Sequence, residues 1–304
     1  MSFLKFQFSK LGEKIAFLRF FLYSYYSINI RDFQKNQGSK MTHEGVDLSF
    51  LDRPEILEIV FHPRTSNIKP LVPNAKNHFI EVEKGIRIGC RYHTVGKDYP
   101  SLLYFHGNAM IVDDMDLFAP LFNDAGVNLF VAGYRGFGLS NGTPTVTNMF
   151  KDSHRVFEGF KKTVEDYGFR KSFFVMGFSL GSFSAIELAY NYQDDLQGLI
   201  VQSGSSNNLK QYVSPMVPLD HPIWKDDSTF LNKVKLRSIS KPTLIIHGEK
   251  DSRIPVDEAK ELYENSAAKD KRLVIIPDAD HGDLFIVGKE QYYKVIREFV
   301  EDYG

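Results

Sequence analysis

The chain has one cysteine, one tryptophan and no surplus of either charge. A lone thiol, Cys90, cannot form an intrachain disulfide, which fits a reducing, cytoplasmic setting. Cys90 falls in a strand-like run and reads as a small buried apolar residue. With 37 Lys and Arg against 38 Asp and Glu, the formal net charge is −1. That balance removes the global basic signal of a nucleic-acid partner, and there is no acidic tail. Zinc-finger spacing and Arg-rich or aromatic RNA-binding motifs are missing as well. No apolar run reaches the roughly 20 residues of a membrane span. The nearest, Ile15 to Ile30, is interrupted by Arg19. No small-residue cleavage site ends that stretch, as a signal peptide would need. Internal repeats and low-complexity tracts are also lacking.

What remains is a 304-residue chain, 43% hydrophobic and 25% charged, ordinary for a globular protein. That length holds one large α/β domain or two small ones, with a sizeable core. Residues 1–30 stand apart, with Lys5, Lys10, Lys14 and Arg19 against Glu13 alone. Leu4, Phe8, Leu11, Ile15, Leu18, Leu22 and Tyr25 recur at three- and four-residue steps, so this is an amphipathic helical segment. It has two readings: a helix docked on the domain, or a basic helix making peripheral membrane contact. Residues 31–77 read as an irregular extension with an apolar patch at Ile56 to Phe61.

From residue 78 to 304 a regular pattern takes over. His78–Glu83 and Ile86–His93 alternate around Lys84-Gly85 and predict a β-hairpin. Short apolar runs follow at Ser101–Phe105, Asn128–Ala132, Ser172–Met176, Gly198–Gln202, Pro242–Ile246 and Arg272–Ile276. Helical periodicity covers Asp113–Asn123, Asn148–Tyr167, Ser182–Tyr190, Pro255–Asn265 and Leu284–Asp302. Strands alternating with helices imply a mostly parallel sheet, and the hairpin implies an antiparallel edge. The stretch from about 204 to 240 is too long for a plain connection and suits a lid-like insert. Its Pro215, Pro218, Pro222 and Trp224 would form an irregular, partly apolar cover.

Gly177-Phe178-Ser179-Leu180-Gly181 lies between a strand and a helix, the pattern of a nucleophile elbow. The flanking glycines are needed because a β-carbon would crowd the turning backbone. The five-residue pattern alone is weak, since roughly one chain in ten of this length carries it by chance. Two later motifs strengthen it. Ile246-His247-Gly248-Glu249-Lys250-Asp251 puts an acid just past one strand, and Asp278-Ala279-Asp280-His281 a histidine just past another. A serine hydroxyl is a poor nucleophile at neutral pH and needs a base, which itself needs an orienting partner. The assignment is Ser179 as nucleophile, His281 as base and Asp251 as orienting acid. Asp278, Asp280 and Asp283 are rivals that a loop would aim elsewhere. A tetrahedral intermediate also needs backbone N–H donors: Leu180, which follows the serine, and Asn108 of His106-Gly107-Asn108-Ala109, with Ala109 as alternative. Gly133-Tyr134-Arg135-Gly136-Phe137-Gly138 matches neither nucleotide-loop pattern and reads as a strand-to-helix turn.

Together these motifs resemble those of the α/β-hydrolase superfamily, within it the abhydrolase-domain serine hydrolases of the depalmitoylase-like and prolyl-oligopeptidase-like branches. The resemblance runs from about His78 to the C-terminus. It implies an α/β-hydrolase fold with an eight-stranded sheet flanked by helices, a Ser-Asp-His triad, and no metal or organic cofactor. Phe61-His62-Pro63 resembles a segment that precedes the core in such relatives. One departure is Gly133, where many relatives carry an acid that would pair with Arg135. The expected activity is cleavage of a small-molecule acyl ester or thioester through an acyl-enzyme. A prolyl-oligopeptidase-type amidase is the alternative, though residues 1–77 leave no room for its gating domain. A non-catalytic binding protein of this fold would predict a damaged triad.

Overall fold

A computed structural model describes residues 42–43, 46–66 and 69–304. The amphipathic segment read at 1–30 lies outside them. A two-rung antiparallel ladder joins Thr42–His43 to Val46–Asp47. A 3₁₀ turn at Ser49–Asp52 and helix α1, Pro54–Val60, follow within the stretch expected to be irregular. Leu48, Leu51, Ile56, Val60 and Phe61 are all buried in the main core. The polar residues between them mask a hydrophobic spacing too short for a periodicity to register.

The chain then lays down the hairpin β1, Ala75–Glu83, and β2, Ile86–His93. The hairpin thus begins three residues before His78. Next come β3, Ser101–Phe105, helix α2, Ala119–Asp124, β4, Asn128–Ala132, and helix α3, Val146–Asp166. Strand β5, Phe173–Phe178, leads into helix α4, Gly181–Asn191, and then β6, Leu196–Gln202. The insert holds two short helices, α5, Lys210–Val213, and α6, Asn232–Leu236. Strand β7, Thr243–Gly248, helix α7, Val256–Asn265, and β8, Lys271–Ile276, complete the sheet. Helices α8, Leu284–Val287, and α9, Lys289–Tyr303, close the chain.

Eight strands lie in the order β8-β7-β6-β5-β3-β4-β2-β1. The first six pair in parallel, and only β4–β2 and β2–β1 are antiparallel. The central strands are buried on both faces, so alternation sorts their side chains between two cores. Val175, Val201 and Ile245 face one core, with α3, α4 and α7. Phe174, Met176, Ile200, Leu244 and Ile246 face the other, with α2 and α9. Helix α3 shows why it docks: Met149, Phe150, Val156, Phe157, Phe160 and Val164 form one buried stripe. Each such side chain contributes roughly 1.5–3 kcal/mol on burial. Thr145 caps the helix by accepting from Asn148 N–H at 3.0 Å.

Two expected helices are broken. The run at Asp113–Asn123 is a 3₁₀ turn, Val112–Leu117, followed by α2. Pro120, in the first turn of α2, lacks the N–H that a continuous helix would need. The closing helix divides at Gly288, where an added Cβ would lie 2.3 Å from Ile276 Cγ2. The insert is tied into the domain. Ile223, Trp224, Phe230 and Leu231 are buried in the main core, so Trp224 points inward. Lys235 of α6 makes a fully buried ion pair with Glu187 of α4. Glu258 of α7 accepts from Ser205 Oγ, Ser206 N–H and Ser206 Oγ at 2.7–2.8 Å.

Candidate active site

The sharp turn between β5 and α4 holds Ser179 at φ 52°, a left-handed conformation rare for a residue with a side chain. The flanking glycines are sterically required. A Cβ at Gly177 would lie 2.2 Å from Gly181 O, and one at Gly181 would lie 2.1 Å from Phe105 O. Strain at Ser179 is held by its own N–H donating to Gln202 O at 2.9 Å and by Ser182 Oγ donating to Ser179 O at 2.6 Å. The side chain is thereby presented above the C-terminal edge of the sheet, half-buried.

Loops after β7 and β8 bring the other two groups to it. His281 Nε2 lies 2.8 Å from Ser179 Oγ, and His281 Nδ1 lies 2.9 Å from Asp251 Oδ2. A carboxylate only accepts, so Nδ1 carries the proton and Nε2 is left to accept from the serine. Asp251 is further held by Arg253 N–H and Ile254 N–H, both donating to Oδ1, at 2.9 and 2.8 Å. Burial alone would raise its pKa, but hydrogen bonds from His247 and His281 outweigh that and hold the carboxyl well below the usual range. The rival aspartates are engaged elsewhere. Asp278 pairs with Lys250 at 2.6 Å, Asp280 accepts from Ser252 N–H at 2.8 Å and from His281 N–H at 2.7 Å, and Asp283 accepts from Asp280 N–H at 2.8 Å.

His247 is a contributor that motif reading passed over. Its buried Nε2 lies 2.8 Å from Ile254 O and 3.2 Å from Asp251 Oδ2. Bonding a carbonyl requires Nε2 to carry the proton, so the ring also donates toward the acid. The signal was its position four residues before Asp251 in the strand-ending Ile-His-Gly.

The candidate oxyanion donors sit on either side. Leu180 precedes helix α4, whose N-terminal amides carry partial positive charge. Neither Leu180 N–H nor Asn108 N–H has an acceptor among the described residues. Ala109 N–H, by contrast, donates to Asn108 Oδ1 at 3.0 Å, so of the two loop amides only Asn108's is available. Gly107 is sterically required, because a Cβ there would meet the Phe178 ring at 2.7 Å.

The departure at Gly133 is resolved by other acids. A Cβ at Gly133 would lie 2.8 Å from Gly89 O, so no acid fits there. Arg135 pairs instead with Asp152 of α3 through two bonds, at 2.6 and 2.9 Å, and with Glu83 at 3.0 Å. Nothing in the sequence marks Asp152, which lies seventeen positions away on a helix. Cys90 is buried and its thiol is pushed up to about 12 by burial, which makes it inert.

Comparison with solved structures shows the fold. A Pyrococcus furiosus esterase, Pf2001, superposes over 80% of this chain and 98% of its own with a TM-score of 0.64, at 20% identity. The chain has the α/β-hydrolase fold and is similar to members of that superfamily. The family described as "Serine aminopeptidase, S33" matches this α/β-hydrolase over residues 98–224. Human alpha/beta hydrolase domain-containing protein 17B is 28% identical over 220 residues, 71% of this chain and 72% of its own. A Saccharomyces cerevisiae protein, the uncharacterized membrane protein YNL320W, is 25% identical over 185 residues, 59% of this chain. That match spans 62% of the yeast protein, under two thirds of its length. Among the described residues of this α/β-hydrolase, no helix is long and apolar enough to cross a membrane.

Proposed function

We propose that this α/β-hydrolase is a serine hydrolase that cleaves carboxylic esters or thioesters through an acyl-enzyme. The observation that carries the reading is the unbroken chain from Ser179 Oγ through His281 to Asp251, with contacts of 2.8 and 2.9 Å. Ser179 Oγ attacks the acyl carbon while its proton passes to His281 Nε2. Asp251 stays ionised and stabilises the imidazolium so formed. The carbonyl oxygen becomes an oxyanion held by the Leu180 and Asn108 amides. His281 then returns its proton to the departing alkoxide or thiolate, leaving acyl-Ser179. Water repeats the sequence, its proton going to His281 and then to Ser179 Oγ, with release of the acid. The pocket chemistry needs no resident metal or organic group at any of these steps.

Labelling by a fluorophosphonate with intact-mass analysis tests the reading. Wild type is expected to gain one adduct and Ser179→Ala none, with the fold unchanged by circular dichroism. A folded wild type that takes no adduct would sink it. The matched family description favours one second reading, an aminopeptidase. Aminoacyl p-nitroanilides cleaved faster than p-nitrophenyl esters would establish that instead.

A further inference from the structure

The Phe61-His62-Pro63 segment, a family-like motif that the triad does not absorb, runs directly against the oxyanion loop. His62 N–H donates to Asn108 Oδ1 at 2.9 Å, and Asn108 Nδ2 lies 2.8 Å from His62 Nδ1. The asparagine NH₂ can only donate, so Nδ1 accepts and the ring proton sits on Nε2. One residue thus grips both ends of the Asn108 side chain, with its backbone and its ring. Burial lowers the His62 pKa, and the nearby Arg253 charge lowers it further, which keeps the ring in the accepting, neutral form.

The grip matters because of what Asn108 holds next. Its Oδ1 also accepts from Ala109 N–H, and Ala109 is at φ 60°, left-handed backbone that a non-glycine residue adopts only when held there. The same segment is strapped to its surroundings further on. Arg64 pairs with Asp114, whose Oδ2 accepts from Ile111 N–H at 3.0 Å, and Arg64 O accepts from Gly138 N–H at 2.7 Å. Behind it, Phe61 is anchored in the core and meets Phe137 edge-on at 6.5 Å.

We infer that His62 is a positioning residue whose two-point grip on the Asn108 side chain aims the Asn108 N–H at the developing oxyanion. The inference rests on the serine-hydrolase reading above. It assigns a role in turnover to a residue 117 positions before the nucleophile, outside the matched family region. The grip acts on the transition state, where the oxyanion exists, and leaves ground-state binding alone.

The test is a double-mutant cycle on a p-nitrophenyl ester, with His62→Ala, Asn108→Ala and the pair, read as kcat and KM separately. His62→Ala is expected to lower kcat about tenfold, below the 10²–10³ known for removing a whole oxyanion donor because the Asn108 N–H is misaimed and not deleted, with KM within about twofold. Asn108→Ala should lose as much or more, and the double variant no more than Asn108→Ala, because the two act as one unit. His62→Asn, whose Oδ1 can take the place of Nδ1, should recover most of the rate. A trifluoromethyl ketone, which forms a tetrahedral oxyanion on the serine, should weaken in proportion to kcat/KM. Wild-type kcat in His62→Ala, or losses that multiply in the double variant, would overturn the inference while leaving the hydrolase reading intact. Absence of both turnover and fluorophosphonate labelling in wild type would remove that reading and the positioning role with it.

Discussion

At the scale of single residues, the site is a set of side chains each left with one orientation. Ser179 is pinned by backbone bonds in a left-handed turn, and Asp251 has four donors around two oxygens. The Asp251→Asn substitution keeps the volume and removes the charge. Its NH₂ would face the Nδ1 proton of His281, so the ring would turn to the wrong tautomer. We expect turnover to fall by about 10⁴, with fluorophosphonate labelling slowed to match. A near-wild-type rate would move the acid role to another aspartate. The meeting of Ser179, Asp251 and His281 was readable because these positions carry local punctuation: glycines that no larger residue can replace, and loops that directly follow apolar runs. His62 was visible only as part of a resemblance, because its partner lies 46 positions away and no local pattern links them.

At the scale of elements, strands and helices were largely legible, since burial on both sheet faces leaves unbroken apolar runs and α3 leaves a clean stripe. Shifts came at the ends, as at β5, which runs on through Phe178. Helix α1 was missed because seven residues offer only two turns of periodicity. The insert was legible as an insertion, but the inward turn of Trp224 follows from long-range packing that spacing does not encode. The joint between the β4 loop and α3 is likewise tertiary. Asp152 and Arg135 are both buried, whereas Glu83 is half-exposed. Asp152→Ala would leave the guanidinium with only its exposed partner. We expect a loss of about 3 kcal/mol in urea unfolding, the range for breaking a buried pair. Glu83→Gln should cost under about 1 kcal/mol, as exposed pairs do.

At the scale of the whole molecule, two buried imidazoles make stability depend on pH. Burial and the adjacent Arg91 hold His93 at about 3, and burial holds His106 at about 4 despite its bond to Gly107 O. Both are neutral in the folded and unfolded chain above about pH 6.5. Below that, the unfolded chain takes up protons that the folded one refuses, so their stabilisation is full above about pH 6.5. It is lost progressively as pH falls toward 4 and 3. From pH 7 to 5 each should cost on the order of 2 kcal/mol. The urea midpoint should therefore drop over that interval, and His93→Leu should flatten the drop by about half whatever it does to absolute stability. An unchanged slope would mean that His93 titrates normally in the fold. The sheet order has a further consequence. His281 hangs from β8, an outer strand that pairs with β7 alone and whose residues, Ile276 excepted, are all partly exposed. Ser179 hangs from β5, sheltered in the middle. The serine and the imidazole beside it thus belong to regions of unequal durability, and fraying of the C-terminal margin would part the proposed catalytic pair while most of the molecule stays intact.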